Sequence, residues 1–373
     1  PAESGPGWAR RGLFAAAILP GLGASLVSAQ GNWWDGLKSG APDFSGRDRS
    51  YEAPVRKPEP LDDLRPDPTP WCSDVMMNAI MGGIERYEQI VANGGWPEVP
   101  KGRMMREGDD DPRVPILRKR LKISGDLTVK SQYSNSQMFD YELEAAVRSF
   151  QRHNGLRVTG RIEQSVYPVL NISAEQRLEQ LKLNLERLRG LAGCGSEDRY
   201  VFVNVPAFQL EAVQKFEAQQ RHRVIVGRSE RQTPDVRATI KALNFFPYWH
   251  VPDSVATLDL IPRLQKEPQY LEEEGIRVYN GYNGPEVDRQ TINWSLPLVS
   301  SYKFKQDPGD KNALGLVRLD MTNEFGVYMH DTPMKKLFDQ RSRNFSAGCV
   351  RVQSVFDLAA WVAQGEIGWE QPG

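Results

Sequence analysis

The amino-acid sequence predicts an α+β protein, with a helical N-terminal part followed by a β-rich C-terminal part. Up to about residue 191, apolar side chains recur at helical spacing, which predicts amphipathic helices. After Arg199 the chain changes to short β-branched segments between turns, which predict strands. Helices and strands that occur in separate runs indicate an α+β arrangement. A length of 373 residues is enough for two or three such domains.

The N-terminal residues 1–29 predict an export segment. A pair of arginines precedes the apolar stretch 12–27, which ends in a small-x-small element typical of a secretory signal. The alternative interpretation is an uncleaved membrane anchor, although the stretch is short for a bilayer span. Residues 30–70, rich in Gly, Pro, Asp and Arg, predict a linker that is extended or disordered.

Composition and cysteine content limit the partners and cofactors. The 47 Lys and Arg residues nearly balance the 48 Asp and Glu residues, and no basic stripe stands out, so no nucleic-acid partner is expected. The chain has no CxxC or HxxxH pair, so neither a metal site nor a cofactor is predicted. An exported protein can keep disulfides, and two alternatives stay open: a Cys72–Cys194 bridge with Cys349 free, or three free thiols.

Helical spacing predicts a scaffold in two pieces, 71–111 and 173–199, on either side of a compact helical unit at 112–172. In the second piece Ser173 and Gln176 form a capping-box pattern that begins a helix extending to about residue 191. We expect this scaffold to serve only structure.

The unit 112–172 resembles the small three-helix peptidoglycan-binding domain. The resemblance is carried by the helix residues Ala146-Val147-Arg148-Ser149-Phe150-Gln151, then Gly155-Leu156 and a glycine turn at Gly160. It implies a peptidoglycan ligand. The alternative is that the Phe-Gln pair serves core packing alone.

The region 200–373 is predicted to be a β-rich, sandwich-like domain. Strands are expected at 200–205, 208–213 and 223–226, and a hairpin at 315–321 and 325–329. The polar insertion 253–302 lacks strand periodicity and is predicted to form a lid or cap. Its alternative is a solvated loop.

Cys349 and His330 are the candidate nucleophile and base of this region. A thiol is a strong nucleophile but is mostly protonated at neutral pH, so it needs an imidazole close by. His330 ends a predicted strand, and Thr332-Pro333 is expected to begin a short helix, which would hold the ring in place while leaving it open to solvent. Gly348 permits a tight turn, so the amides of residues 348 and 349 can bind an oxyanion.

Other polar and aromatic residues are candidates for substrate contacts. Arg351 lies two residues after Cys349 and is expected on the same side of an extended segment, where it can bind a carboxylate; a surface ion pair is the alternative. The residues predicted to line a cleft, with core packing as the alternative, are Tyr248, Trp249, Asn312 and Tyr328.

The tract from His330 to Arg351 resembles the signature of the YkuD-type L,D-transpeptidase catalytic domain. That signature is a histidine followed by a [ST]-x-G-C-x-R element, and here fifteen residues separate His330 from Ser346-Ala347-Gly348-Cys349-Val350-Arg351. Ala347 departs from many members, which carry His or Ser there. Other segments, at 94–97, 223–228, 247–252 and 311–315, resemble the large periplasmic subclass. The resemblance extends over about residues 72–365 and includes the unit 112–172.

The resemblance implies a peptidoglycan L,D-transpeptidase that forms 3→3 cross-links. Cys349 would attack the carbonyl of the third stem residue, usually meso-diaminopimelate, with loss of D-Ala, while His330 moves the proton. Ser346 and Gly348 would contribute with Cys349 to the oxyanion region, and Arg351 would hold the site or the substrate. The third member of the triad stays open, because the Asp331 side chain is expected to point away from His330.

Two alternatives to transpeptidation stay open. An L,D-carboxypeptidase or endopeptidase would use the same residues with water as the acceptor, and a non-catalytic wall-binding scaffold would need only the unit 112–172. The resemblance implies stem peptides as partners, contacts with other cell-wall synthesis proteins, acylation of Cys349 by carbapenems, and a periplasmic location of the Gram-negative type. Contact with the inner membrane is expected only if residues 1–29 stay uncleaved.

Overall fold

The computed structural model describes residues 64–128, 135–191 and 197–365. The predicted export segment, most of the predicted linker and Cys194 lie outside these ranges. Within them, no helix has the length and apolar character needed to cross a membrane. The described chain divides into two compact units, residues 64–223 with 339–342 and residues 224–338 with 343–365.

The first unit begins with helices whose starts follow from capping side chains. Ser73 and Asp140 accept hydrogen bonds from the first turns of their helices, and Ser173 with Gln176 forms the predicted capping box. The helices are α1 (Asp74–Ala92), α2 (Val114–Ser124), α3 (Tyr141–His153), α4 (Tyr167–Leu170) and α5 (Ala174–Gly190).

Helices α2, α3 and α4 enclose one hydrophobic core. The two residues of the Phe-Gln pair, Phe150 and Gln151, make different contributions to it. Phe150 is buried in this core. The side chain of Gln151, fully buried, accepts from the amides of Thr159 and Gly160 and donates to the carbonyl of Arg161. Gln151 therefore fixes the glycine turn that the sequence pattern contains.

A three-stranded antiparallel meander completes the first unit, formed by β1 (Arg199–Asn204), β2 (Gln209–Gln214) and the first part of β3 (Glu217–Gly227). The chain from residue 65 to 71 is tied to it. The Arg221 guanidinium donates to the carbonyls of residues 65, 67 and 69, and the buried Glu211 carboxylate accepts from Arg221 and from the Trp71 amide. The end of the predicted linker, which was expected to be extended or disordered, is therefore an ordered strap over residues 65–71.

The sheet of the second unit positions the candidate site. It contains the last residues of β3 and the strands β4 (Ile240–Phe245), β9 (Val317–Met321), β10 (Met329–His330), β11 (Asn344–Ser346) and β12 (Val350–Val352). Strands β9 and β10 are antiparallel, as the predicted hairpin requires, while β10 and β12 are parallel. Helix α9 (Val355–Ala363) follows.

The insertion 253–302, predicted to form a lid or cap, is folded and is not the solvated loop of the alternative, and it contains two strands although its sequence lacks strand periodicity. With the strands that flank it, it forms an antiparallel sheet in the order β5 (Trp249–His250), β8 (Lys303–Gln306), β6 (Ile276–Tyr279), β7 (Glu286–Val287). Short helical turns connect these strands: α6 (Asp253–Val255), a π-helical turn (Ala256–Leu260), α7 (Ile261–Leu264) and α8 (Tyr270–Glu273). Thirteen buried residues, among them Leu264, Trp294 and Phe304, give it a core of its own.

Candidate active site

The parallel pairing of β10 and β12 brings the candidate nucleophile and base to one face of the sheet. His330 lies opposite Arg351, and the amide of Val350 donates to the carbonyl of Tyr328 at 3.0 Å. Because side chains alternate along a strand, Tyr328 and His330 share a face with Cys349 and Arg351, while Val350 points into the core.

His330 is held by backbone carbonyls. Its Nδ1 lies 2.5 Å from the carbonyl oxygen of Asp331, and the carbonyl of Leu314 is a second acceptor for the ring. We assign the proton of the neutral ring to Nδ1, which leaves the Nε2 lone pair to act as a base. The Asp331 carboxylate points away, as expected, and accepts from the Leu316 amide and from Lys335.

The environment of His330 favours its neutral form. The side chain is buried, with 4% of its surface exposed, so the expectation of a solvent-open ring is wrong. Burial, reinforced by the nearby Arg351 guanidinium, lowers the pKa of His330 to about 3, although both carbonyls act in the opposite direction. At neutral pH the ring is therefore an unprotonated base.

Cys349 is a free thiol in contact with Tyr328. Burial raises the pKa of Cys349, and hydrogen bonds from the backbone and hydroxyl of Tyr328 lower it only in part. Burial likewise raises the pKa of Tyr328, whose hydroxyl also interacts with Trp249. At neutral pH the shared face thus carries a protonated thiol and a neutral imidazole.

Arg351 is buried, so the alternative of a surface ion pair is excluded. It is 8% exposed, and burial lowers the pKa of its guanidinium to about 10, which the proximity of Cys349 opposes. The group is still charged at neutral pH. A thiolate at Cys349, or a substrate carboxylate at this face, would be stabilised by it.

The turn before β12 is fixed by the side chain of Ser346, a residue that the family resemblance assigned to the oxyanion region. The hydroxyl of Ser346 donates to the Cys349 carbonyl at 2.6 Å and accepts from the Gly348 amide at 3.1 Å. Gly348 has a φ of 127°, in the region that favours glycine. Ser346 and Gly348 therefore shape the turn, and their contribution to the oxyanion region stays a prediction.

The amide of Cys349 is the donor that this turn leaves available. It makes no hydrogen bond to any residue in the described part of the chain. Thr233 supports the same turn from another segment: its hydroxyl accepts from the Gly227 amide at 2.9 Å and donates to the Gly348 carbonyl at 2.8 Å. No local pattern marked Thr233, because its partners are distant in sequence.

The predicted cleft-lining residues separate into two groups. Tyr328 is part of the site through its contact with Cys349, and Trp249 lies next to it through an interaction with the Tyr328 hydroxyl. Tyr248 is exposed, with the Lys305 ammonium 3.9 Å from its ring centre. Asn312 is fully buried and bonded to backbone groups of its own loop and of Pro247, so it does not line a cleft.

Two further expectations concern the surroundings of the site. The helix expected to begin at Pro333 begins instead at Lys335, as a 3-10 turn over Lys335–Asp339, and Thr332 accepts from the Met334 amide before it. Among the described residues, no group of His, Cys, Asp and Glu side chains is arranged to hold a metal ion.

Comparison with known proteins gives matches for both parts of the chain. Residues 198–367 match the family model of the L,D-transpeptidase catalytic domain. Residues 110–170 match the family model described as "Putative peptidoglycan binding domain". A Haemophilus influenzae protein described as "Putative L,D-transpeptidase" is 30% identical over 65% of this chain. The match covers 47% of that relative, so the chain spans about half of its length.

Proposed function

We propose that the chain is a peptidoglycan L,D-transpeptidase acting through a Cys349 thioester, because residues 198–367 match the L,D-transpeptidase catalytic-domain model and residues 110–170 match that of a peptidoglycan-binding domain. The observation that carries the proposal is the shared face of β10 and β12. There the thiol of Cys349 lies on the same side as an imidazole whose Nδ1 is committed to the Asp331 carbonyl.

In the first half-reaction, Cys349 attacks the carbonyl carbon of the third stem residue and its proton passes to Nε2 of His330. The tetrahedral oxyanion accepts a hydrogen bond from the Cys349 amide, the donor that the Ser346 turn leaves available. The carbon–nitrogen bond to D-Ala then breaks, and the leaving amine takes the proton from His330. The product is an acyl thioester.

In the second half-reaction, the side-chain amine of an acceptor stem attacks the thioester carbonyl. Its proton passes to His330, the carbon–sulfur bond breaks, and the departing thiolate recovers that proton. The new amide is the 3→3 cross-link. Water in place of the amine gives a tripeptide, which is the carboxypeptidase outcome.

Intact-mass labelling with a carbapenem tests the nucleophile. The wild-type chain is expected to gain one acyl adduct, and Cys349→Ala none. Cys72→Ala is the matched control and is expected to label like the wild type. An adduct that persists in Cys349→Ala would exclude Cys349 as the acylated residue, and the absence of any adduct on the wild type would favour a non-catalytic wall-binding scaffold.

Product analysis tests the reaction outcome. Purified protein incubated with disaccharide-tetrapeptide is expected to release D-Ala and to form dimers of the mass of a tetrapeptide–tripeptide cross-link. Formation of tripeptide without dimers would assign the chain as an L,D-carboxypeptidase. The His330→Gln variant is expected to abolish both products, because no base remains for the thiol proton.

A further inference from the structure

The loop 228–233, which follows β3, is bonded to both ends of the turn before β12. At one end of the loop the Arg228 amide donates to the carbonyl of Ser346 at 3.1 Å. At the other end the Thr233 hydroxyl donates to the carbonyl of Gly348 at 2.8 Å. Both acceptors lie within three residues of the nucleophile, so a displacement of this loop would displace the nucleophile turn at two points.

The same loop lies in close backbone contact with the end of β3. A Cβ atom at the buried Gly227 would collide with the main chain of residues 231–233, so only glycine permits this approach. Within the loop the amide of Arg231 donates to the carbonyl of Arg228 at 3.0 Å, which closes a turn. Backbone contacts thus fix the shape of the loop, while its two arginine side chains bind elsewhere.

Both arginine side chains form ion pairs with one carboxylate of the insertion. Asp259 lies in the π-helical turn Ala256–Leu260. Its oxygens accept from the Arg228 guanidinium at 3.0 Å and from the Arg231 guanidinium at 2.7 and 2.5 Å. The Asp259 side chain is only 9% exposed, so solvent screens these charges weakly. Two guanidinium groups this close repel each other unless a carboxylate lies between them.

We propose that Asp259 is a positioning residue for the reaction at Cys349. Through its ion pairs with Arg228 and Arg231, which together form an ion triad, it holds the loop 228–233 against the turn that carries the nucleophile. Single π-helical turns occur frequently at functional sites, which agrees with such a role. The inference rests on the proposed function, because that function makes Cys349 the nucleophile.

The kinetics of carbapenem acylation test this role. Asp259→Asn keeps the size of the side chain and removes the charge between the two guanidinium groups. The acylation rate constant at saturating carbapenem is expected to fall by about tenfold, because the sulfur of Cys349 is no longer held in its position for attack. The apparent dissociation constant of the carbapenem is expected to stay within about twofold of the wild-type value. Unfolded protein lowers the amplitude of labelling and not this rate constant, so positioning is measured separately from stability.

Two variants of single carboxylates serve as rescue and control. Asp259→Glu retains the charge and is expected to bring the rate constant to within about threefold of the wild type. Asp253→Asn is the matched control, because Asp253 forms its ion pair with Lys303 and not with the loop 228–233. It is expected to be acylated like the wild type, and a decrease equal to that in Asp259→Asn would overturn the proposal.

Arg231→Gln breaks the ion triad from the side of the loop. It is expected to lower the same rate constant by about threefold, since Arg228 keeps its partner. The double variant of Asp259→Asn with Arg231→Gln is expected to be no slower than Asp259→Asn alone, because one triad is lost in both and the repulsion between the guanidinium groups is relieved. A double variant slowed by the product of the two single effects would show that the residues act independently, and would refute the triad.

The outcomes distinguish this inference from the proposed function. Absence of any adduct on the wild type would refute the function and the inference with it. A wild-type rate constant in Asp259→Asn would leave the function standing and refute the role of Asp259. If Asp259→Asn does not fold, Arg231→Gln decides. A reduced rate constant with an unchanged dissociation constant in that variant would support the triad, and a wild-type rate constant would refute it.

Discussion

In the proposed reaction, the proton that must be transferred starts on the half-buried thiol of Cys349. Burial favours the uncharged forms of both Cys349 and His330, so the site holds no preformed thiolate–imidazolium pair. The roles of these two residues stay a prediction, which depends on the resemblance to the family signature, and the structure places both on one face of the sheet. The sequence could not predict the partner of His330, since a backbone carbonyl has no residue type to recognise.

The buried His330 predicts an acid-sensitive stability. The pKa of His330 is lowered from 6.5 to about 3. Between these pH values the unfolded chain binds a proton at this residue and the folded chain does not, so the free energy of unfolding falls as the pH drops. The decrease in unfolding free energy between pH 6 and pH 4 is expected to be roughly 2 kcal/mol larger in the wild type than in His330→Gln. Urea unfolding at several pH values measures it.

The control for this pH dependence is Ser295→Ala, which alters an exposed side chain that does not titrate. It is expected to keep the wild-type pH profile. Parallel stability profiles for the wild type and His330→Gln would show that His330 is not buried as a neutral ring.

The raised pKa of Cys349 predicts slow alkylation at neutral pH. Iodoacetamide reacts with the thiolate, so the rate at Cys349 is expected to keep rising above pH 9 instead of reaching a plateau near neutrality. Tyr328→Phe removes a hydroxyl that favours the thiolate and is expected to slow alkylation at pH 8 by about threefold. Mass spectrometry of the labelled peptide gives the rate, and a plateau below pH 8 would contradict the neutral pair.

At the scale of elements, the turn between β11 and β12 is supported by a loop residue that is far away in sequence. Thr233, 115 residues before Gly348, bonds to it and to the end of β3. Long helices such as α5 were predictable, because periodicity and the capping box are local signals. The sheet of the insertion was not, because β7 has two residues and gains its stability from pairing.

Loss of the Thr233 hydroxyl is expected both to slow acylation and to reduce stability. Thr233→Val keeps the volume but leaves the Gly227 amide and the Gly348 carbonyl without their partner, which costs about 1–3 kcal/mol of unfolding free energy. The displaced turn is expected to reduce the rate of carbapenem acylation by about tenfold or more.

Two further variants interpret the Thr233 result. Thr233→Ser retains the hydroxyl and is expected to recover most of the acylation rate. Thr239→Val makes the same change at an exposed position and is expected to have no effect. Equal acylation rates in Thr233→Val and the wild type would show that the turn does not need this support.

At the scale of the whole molecule, the sequence predicted the division into a helical part and a β-rich part, and the α+β class is confirmed. The C-terminal end of the predicted linker, expected to be extended or disordered, is held in place by distant contacts. Residues 65–70 are Arg-Pro-Asp-Pro-Thr-Pro, a composition typical of disorder, yet Arg221 binds their carbonyls from 152 or more residues away. Composition gives no information on a distant donor.

The stability of this strap is expected to depend on the buried ion pair of Glu211 and Arg221. Glu211 is fully buried and pairs with Arg221 at 3.3 Å, so Arg221→Met leaves a carboxylate without its cation. The expected cost is about 3–5 kcal/mol of unfolding free energy, with faster proteolysis near residue 67. Urea unfolding and limited digestion measure the two effects.

The double variant Arg221→Met with Glu211→Leu removes both charges. It is expected to regain most of the lost stability, because no isolated charge stays buried. A double variant as unstable as Arg221→Met alone would show that the hydrogen bonds to the strap, and not the buried charge, dominate the loss.

The hydrogen bond from His330 to the Asp331 carbonyl has a genetic consequence. Every amino acid supplies the same carbonyl, so no codon change at position 331 can delete the acceptor of that bond. Substitutions that abolish activity in a saturation scan are expected to concentrate at Cys349 and His330, while position 331 tolerates exchange to the extent that the main chain keeps its path. No side-chain substitution can therefore remove this acceptor, and only replacement of the peptide bond itself would test its contribution.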